Sequence, residues 1–253
     1  MNVYPTTPKS IMHLLGYSFA NYGRVLRAII PMILLAALVK DIYIYWGGMP
    51  NMQIIRMAII IIMVIVVIYF WLAALYSAHE VLKGQPVAFK VVLRTVYYKW
   101  SAIYAGVFVF ILGWCVVFFV GYVISAVFIN IFSDTIAVRA LIDLILIGIP
   151  LTIAVVLFFF AIPILTLDTV GLMSAFRESV RLVGYKNWLR TFVAYAAVVI
   201  TALIVSPATR HGHWLRMYYL NFLFDVTVFI LLAPLIINFI LLLLNDLRLR
   251  HAN

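Results

Sequence analysis

His79 and Glu80 open like the zinc-protease helix motif His-Glu-x-x-His, but position 83 is Lys, so the second ligand is missing. His211 and His213 form a His-x-His pair between two apolar runs; a metal site needs further ligands, and none stands near in sequence. The chain contains no Gly-x-Ser-x-Gly elbow, no P-loop and no cysteine–histidine pair. Its 8 Asp and Glu are too scattered to form paired carboxylates. Cys115 is the single cysteine, which excludes an intramolecular disulfide and a thiolate metal cluster. No catalytic residue, metal site or cofactor is therefore expected, and the chain reads as a non-enzyme.

The remaining chemistry-bearing residues are polar groups inside apolar runs, where an unsatisfied polar atom is expensive and often functional. Asp225 stands about one turn into the last run. Asn238 stands deeper, four residues after Pro234, which frees the carbonyl of Ile230 and predicts a kink. Asp143 follows Arg139 by four residues, the spacing of an intrahelical ion pair. Asp225 has two readings: an interfacial carboxylate paired with Arg56, Arg210 or Arg216, or, together with Asn238, part of a transport path.

The elements that must position these groups follow from composition. The chain has 253 residues, 67% apolar and 10% charged, with mean hydropathy +1.18. A soluble domain is roughly 45–50% apolar and about 25% charged, so water cannot be the main solvent here. Disorder, nucleic-acid binding and a disulfide-stapled secreted fold are excluded. A hydrocarbon core of about 30 Å needs roughly 20 apolar residues in a helix. Six runs qualify: Val25–Tyr45, Met57–Ala78, Ser101–Phe128, Leu141–Leu165, Leu189–Val205 and Phe222–Leu244. Barrel strands alternate in short segments and these runs do not, so the expected fold is an all-α polytopic bundle forming a single membrane domain over residues 1–253. Nothing resembles a cleavable leader, so the first span is expected to serve as an uncleaved insertion signal.

The net charge is +10. Of 18 Lys and Arg, thirteen fall on one side of the spans: Lys9, Arg24 and Arg27, then Lys83, Lys90, Arg94 and Lys99, then Arg177, Arg181, Lys186 and Arg190, then Arg248 and Arg250. The other five are Lys40, Arg56, Arg139, Arg210 and Arg216. The positive-inside rule makes the richer side cytoplasmic and places both termini there.

Two of the inner segments carry helical apolar spacing. Phe89, Val92, Leu93, Val96, Tyr97 and Trp100 share one face, with Lys90, Arg94 and Lys99 off it. Leu172, Phe176, Val180 and Val183 share another, with Arg177, Arg181 and Lys186 elsewhere. Ile11, Leu14, Leu15, Ser18 and Phe19 give a weaker version ahead of the first span. Such basic amphipathic helices lie in the interfacial plane and meet anionic phospholipid, or simply brace the bundle. Offsetting the chain by 87 residues pairs Gly84, Ala88, Phe89, Arg94, Val96, Tyr98 and Lys99 with identical residues at 171, 175, 176, 181, 183, 185 and 186. The spacing suggests parallel units at 9–78, 84–165 and 171–244, by duplication or by shared amphipathic constraint. Ala102, Gly106, Gly113, Val117, Gly121 and Ser125 make a mostly small-residue stripe along the third span and allow close helix approach, within the bundle or in a homo-oligomer.

Pro163, Asp168, Gly171, Ala175, Ser179, Leu182, Val183 and Gly184 read as P-x4-D-x2-G-x3-A-x3-S-x2-L-V-x-G, and the last run ends in Asp246-Leu247-Arg248-Leu249-Arg250. The chain thereby resembles the YciC-like bacterial inner-membrane family and the related membrane domain attached to some glycerophosphodiester phosphodiesterases. Asp168 stands where that family usually has Glu, and Asn245 where an aromatic often precedes D-L-R. The resemblance implies a six-helix inner-membrane protein. It carries over no hydrolase chemistry, because the soluble phosphodiesterase domain is missing. The expected role is non-enzymatic, in membrane or lipid homeostasis, with Lys90, Arg94, Lys99, Arg177, Arg181 and Lys186 on anionic lipid; a small permease using Asp225 and Asn238 is the alternative.

Overall fold

A computed structural model of the chain describes residues 3–46, 53–132, 136–210 and 218–252; within its helices, side chains at 40–46, 53–60, 110, 114, 128–132, 136, 137, 139, 140, 185, 197, 198, 201–210 and 218–226 fall outside the description. The described residues form α1 (Ile11–Ala20), α2 (Tyr22–Trp46), α3 (Gln53–Leu82), α4 (Phe89–Phe132), α5 (Ile136–Asp143), α6 (Ile149–Phe158), α7 (Ala161–Leu167), α8 (Leu172–Arg210) and α9 (Tyr218–Ala252), with no strand among them. Helix is the only open-chain solution that satisfies every backbone polar group without water.

Among the described residues, five helical stretches are long and apolar enough to cross a membrane: Tyr22–Val39, Ile61–Leu82, Phe89–Val127, Leu141–Leu167 and Thr227–Ala252. They correspond to the first, second, third, fourth and sixth expected spans, which is compatible with a membrane protein. The expected fifth span, Leu189–Val205, lies inside α8 and is not among the five; its last side chains lie outside the described residues. The long helices keep large apolar side chains on their outsides. Ile61, Ile62 and Val64 on α3 are more than half exposed, as are Phe108, Val116, Phe118 and Phe119 on α4. A surface of that kind suits hydrocarbon and not water.

The chain forms two compact units, residues 1–100 with 193–253, and residues 101–192. The boundaries fall inside α4 and α8. In the first unit, Val25, Ile29, Met32, Ile33, Ala36 and Ala37 make a stripe at i, i+4, i+7, i+8, i+11 and i+12 along α2. It packs against α3, where Ala73, Ala74 and Ala78 have no exposed surface, and against α9, where Ala233, Ile237 and the run Leu241–Leu244 are buried. Small residues on α3 let the backbones approach, the usual device where lipid removes the hydrophobic drive between helices. Pro31 stays within α2 and Pro234 within α9.

The second unit is shaped by its prolines. Between α5 and α6, Leu144–Gly148 widens into a π-helical turn. Pro150 lacks the N–H that Leu146 O would accept, and its ring would press on that carbonyl; the wider turn relieves both. Leu146 O points to where a Cβ on Gly121 would stand, 2.8 Å away, with Ile147 Cγ1 at 3.0 Å. Glycine at 121 is therefore required by a close approach. Pro163 has the same effect on Phe159 O, and the helix breaks there, between α6 and α7.

Candidate functional site

The cationic residues expected to meet lipid begin α4 and α8. In α4, Val92 and Val96 are buried while Lys90 and Arg94 are exposed. Arg94 is steadied by Tyr98 one turn on: its Nε and a terminal nitrogen both donate to the phenol oxygen at 3.2 Å. Lys99 is half-buried with its ammonium 5.9 Å from the Tyr76 ring centre, a cation–π distance. Tyr97 and Tyr98 are about two-thirds exposed on the same turns, so Tyr97 also departs from the expected apolar face. Phe89, expected on the apolar side, is instead 40% exposed.

In α8, Arg177, Arg181 and Lys186 are exposed. The buried face is Ala175, Ser179, Leu182 and Val183, so the expected stripe is rotated and Val180 lies largely outside it. The cause is the break at Phe159–Phe160. Ser179 Oγ donates to Leu157 O at 2.7 Å and accepts from Phe160 N at 3.2 Å, satisfying an orphan carbonyl and an orphan amide with one hydroxyl. Ala175, one turn earlier, leaves room for that contact. At Gly184 the backbone turns to φ 37°, a region that disfavours side chains, and the leading segment of α8 ends there. The motif residues from Pro163 to Gly184 thus encode a helix break and the helix that seals it.

A second polar cluster ties the chain's ends together in the first unit. Val3 N donates to Leu82 O at 2.8 Å, and the Asn245 amide donates to Pro5 O at 3.0 Å. Asp246, with no exposed surface, accepts from Lys9 N at 2.6 Å and from Arg250 Nε at 2.8 Å; Arg250 also donates to Lys9 O at 2.9 Å. The Tyr4 hydroxyl and His79 Nδ1 share a hydrogen bond at 2.7 Å. Burial holds the Tyr4 phenol well above its ordinary 10.0, with Arg248 opposing and Glu80 adding to the rise. His79, half of the incomplete zinc motif, is therefore a partner of the N-terminal arm. Spacing alone did not reveal this cluster; the D-L-R tail was the only signal of it.

Asn238 and Asp225 are not brought together by any described contact. Asn238 has no exposed surface, and its amide donates to Ser18 O at 3.0 Å. Ser18 is two residues from the end of α1, so its carbonyl lacks a partner within that helix. Asn238 supplies one and joins α1 to α9. The backbone of α9 passes through Asp225, whose side chain lies outside the described residues, as do His211 and His213. Asp143 accepts a hydrogen bond from buried Ser125 on α4, a partner across helices; the Arg139 side chain, its expected intrahelical partner, lies outside the described residues. No three His, Cys, Asp or Glu converge among the described residues.

No family model, curated protein or solved structure matches this chain.

Proposed function

We propose that this chain is a six-span, non-enzymatic protein of a bacterial inner membrane, with both termini cytoplasmic, acting in membrane or lipid homeostasis. The leading turns of α4 and α8 are amphipathic segments resting on anionic phospholipid of the inner leaflet, and the distal part of α8 is the fifth of the six spans. One observation carries the reading. Lys90, Arg94, Arg177 and Arg181 are exposed beside apolar spans, and among the described residues none forms an ion pair. Cations with no ion pair among the described residues, on the side holding thirteen of 18 Lys and Arg, have anionic headgroups as their natural counter-charge. Near such a surface each is worth about 1 kcal/mol. The test is retention of phosphatidylglycerol by the purified protein with these four residues changed to Gln. Retention is expected to fall, and unchanged retention contradicts the headgroup role.

A further inference from the structure

Arg24 and Arg27 stand three residues apart at the start of α2 and flank a groove of about 430 Å³, within the roughly 300–1,000 Å³ of small-ligand sites. Its other walls include Val81, Gly84, Pro86 and Val87, from the end of α3 and the turn that follows. Both arginines are exposed, and neither has a hydrogen bond or ion pair among the described residues. Glu80, the neighbouring carboxylate, pairs with Lys83 at 3.8 Å. Gly84 turns at φ 81°, and its N–H and that of Gln85 are spent on Val81 O and Glu80 O. The turn therefore offers no free backbone amide to an anion at those two residues, and the two guanidinium forks, beside the Gln85 side-chain amide, are the charged donors. The apolar window of α2 begins at Tyr22, so the arginines sit where that span leaves hydrocarbon. A fitting occupant carries an anionic, bidentate oxygen group on an apolar body.

We infer that this groove binds one anionic phospholipid, its phosphate held by Arg24 and Arg27 and the start of its acyl chain against Val81, Pro86 and Val87. The inference rests on the lipid-facing orientation proposed above and adds a discrete site to a diffuse surface. Its test is lipid retention by the full-length protein in detergent, read by native mass spectrometry during titration with phosphatidylglycerol or phosphatidylcholine. One tightly held phosphatidylglycerol is expected. Changing both Arg24→Gln and Arg27→Gln should weaken it roughly 30-fold, at about fivefold per surface arginine. The equally charged pair Arg177→Gln and Arg181→Gln should leave that one lipid in place. Equal loss in both pairs overturns the groove and spares the general headgroup reading, whereas no loss in either overturns both. Glycerol phosphate displacing the lipid at equal concentration would show that the site takes soluble phosphate and would also overturn the inference. Should the glutamine pair not fold, Arg24→Lys with Arg27→Lys asks the same question. Charge without the fork should weaken binding severalfold, and unchanged binding is a contradiction.

Discussion

Replacing Asp246 with Ala should release the N-terminal arm and destabilise the first unit. The Asp246 side chain is 1% exposed and accepts from Lys9 N and Arg250 Nε. Losing the Lys9 bond leaves a part-buried amide without its charged acceptor, at about 1.5–3 kcal/mol. The Arg250 side chain is 34% exposed, so water screens its pair, which counts for only about 0.5–1 kcal/mol. Together the loss is about 2–4 kcal/mol, a large part of a typical stability. Asp246→Asn keeps one acceptor for Lys9 N and should recover part of it. The assay is equilibrium unfolding of the full-length protein in mixed micelles with added sodium dodecyl sulfate, alongside proteolysis at residues 3–9. The expected result is a lower midpoint and faster cleavage in the arm. An Asp246→Ala protein that unfolds within about 0.5 kcal/mol of wild type, with its arm still protected, would refute the latch.

Ser179→Ala strips partners from Leu157 O and Phe160 N at once, and unfolding by the same titration should show a loss of about 1–3 kcal/mol. Gly121→Ala would push a Cβ onto Leu146 O, a backbone atom that cannot step aside, costing about 1–3 kcal/mol; Gly113→Ala, where nothing lies within 4 Å, should be neutral or slightly stabilising in the same measurement. Because the folded protein keeps the Tyr4 proton above the ordinary 10.0, the unfolded chain binds fewer protons once pH passes that value. Stability should hold below it and fall as pH rises beyond it, and Tyr4→Phe should flatten that alkaline limb in thermal melts taken across the range.

Much of the architecture was legible because hydrocarbon imposes length. Long apolar runs marked five helices apolar enough to cross a membrane, four of them to within about eight residues at each end; the third starts twelve residues before the expected boundary, at Phe89 rather than Ser101. What was not legible was the partner of each polar side chain. Asn238 could be singled out by the expense of an amide in an apolar run, yet its partner is a carbonyl 220 residues away at a helix end, and no local spacing encodes that. For Asp143 the fold supplies Ser125 from across the helix pair, a partner that no local spacing encodes; the i−4 arginine side chain lies outside the described residues. The apolar side of α8 was misplaced for a related reason. Large residues mark a face that packs against a smooth surface, but Ser179 faces an interrupted helix, where a small hydroxyl and a neighbouring alanine fit better than Val180. His79 looked like half of a metal motif and proved to be a hydrogen-bond partner of Tyr4, in an arm 75 residues earlier.

The central proposal is an orientation, with the leading turns of α4 and α8 on the inner face of the membrane. Single cysteines at Lys90 and Lys186, in a chain whose exposed Cys115 has been replaced by Ala, can be probed with a membrane-impermeant thiol reagent on intact cells and on inverted vesicles. Labelling at both positions from the inverted side alone is the predicted result. Labelling of either position in intact cells would contradict it.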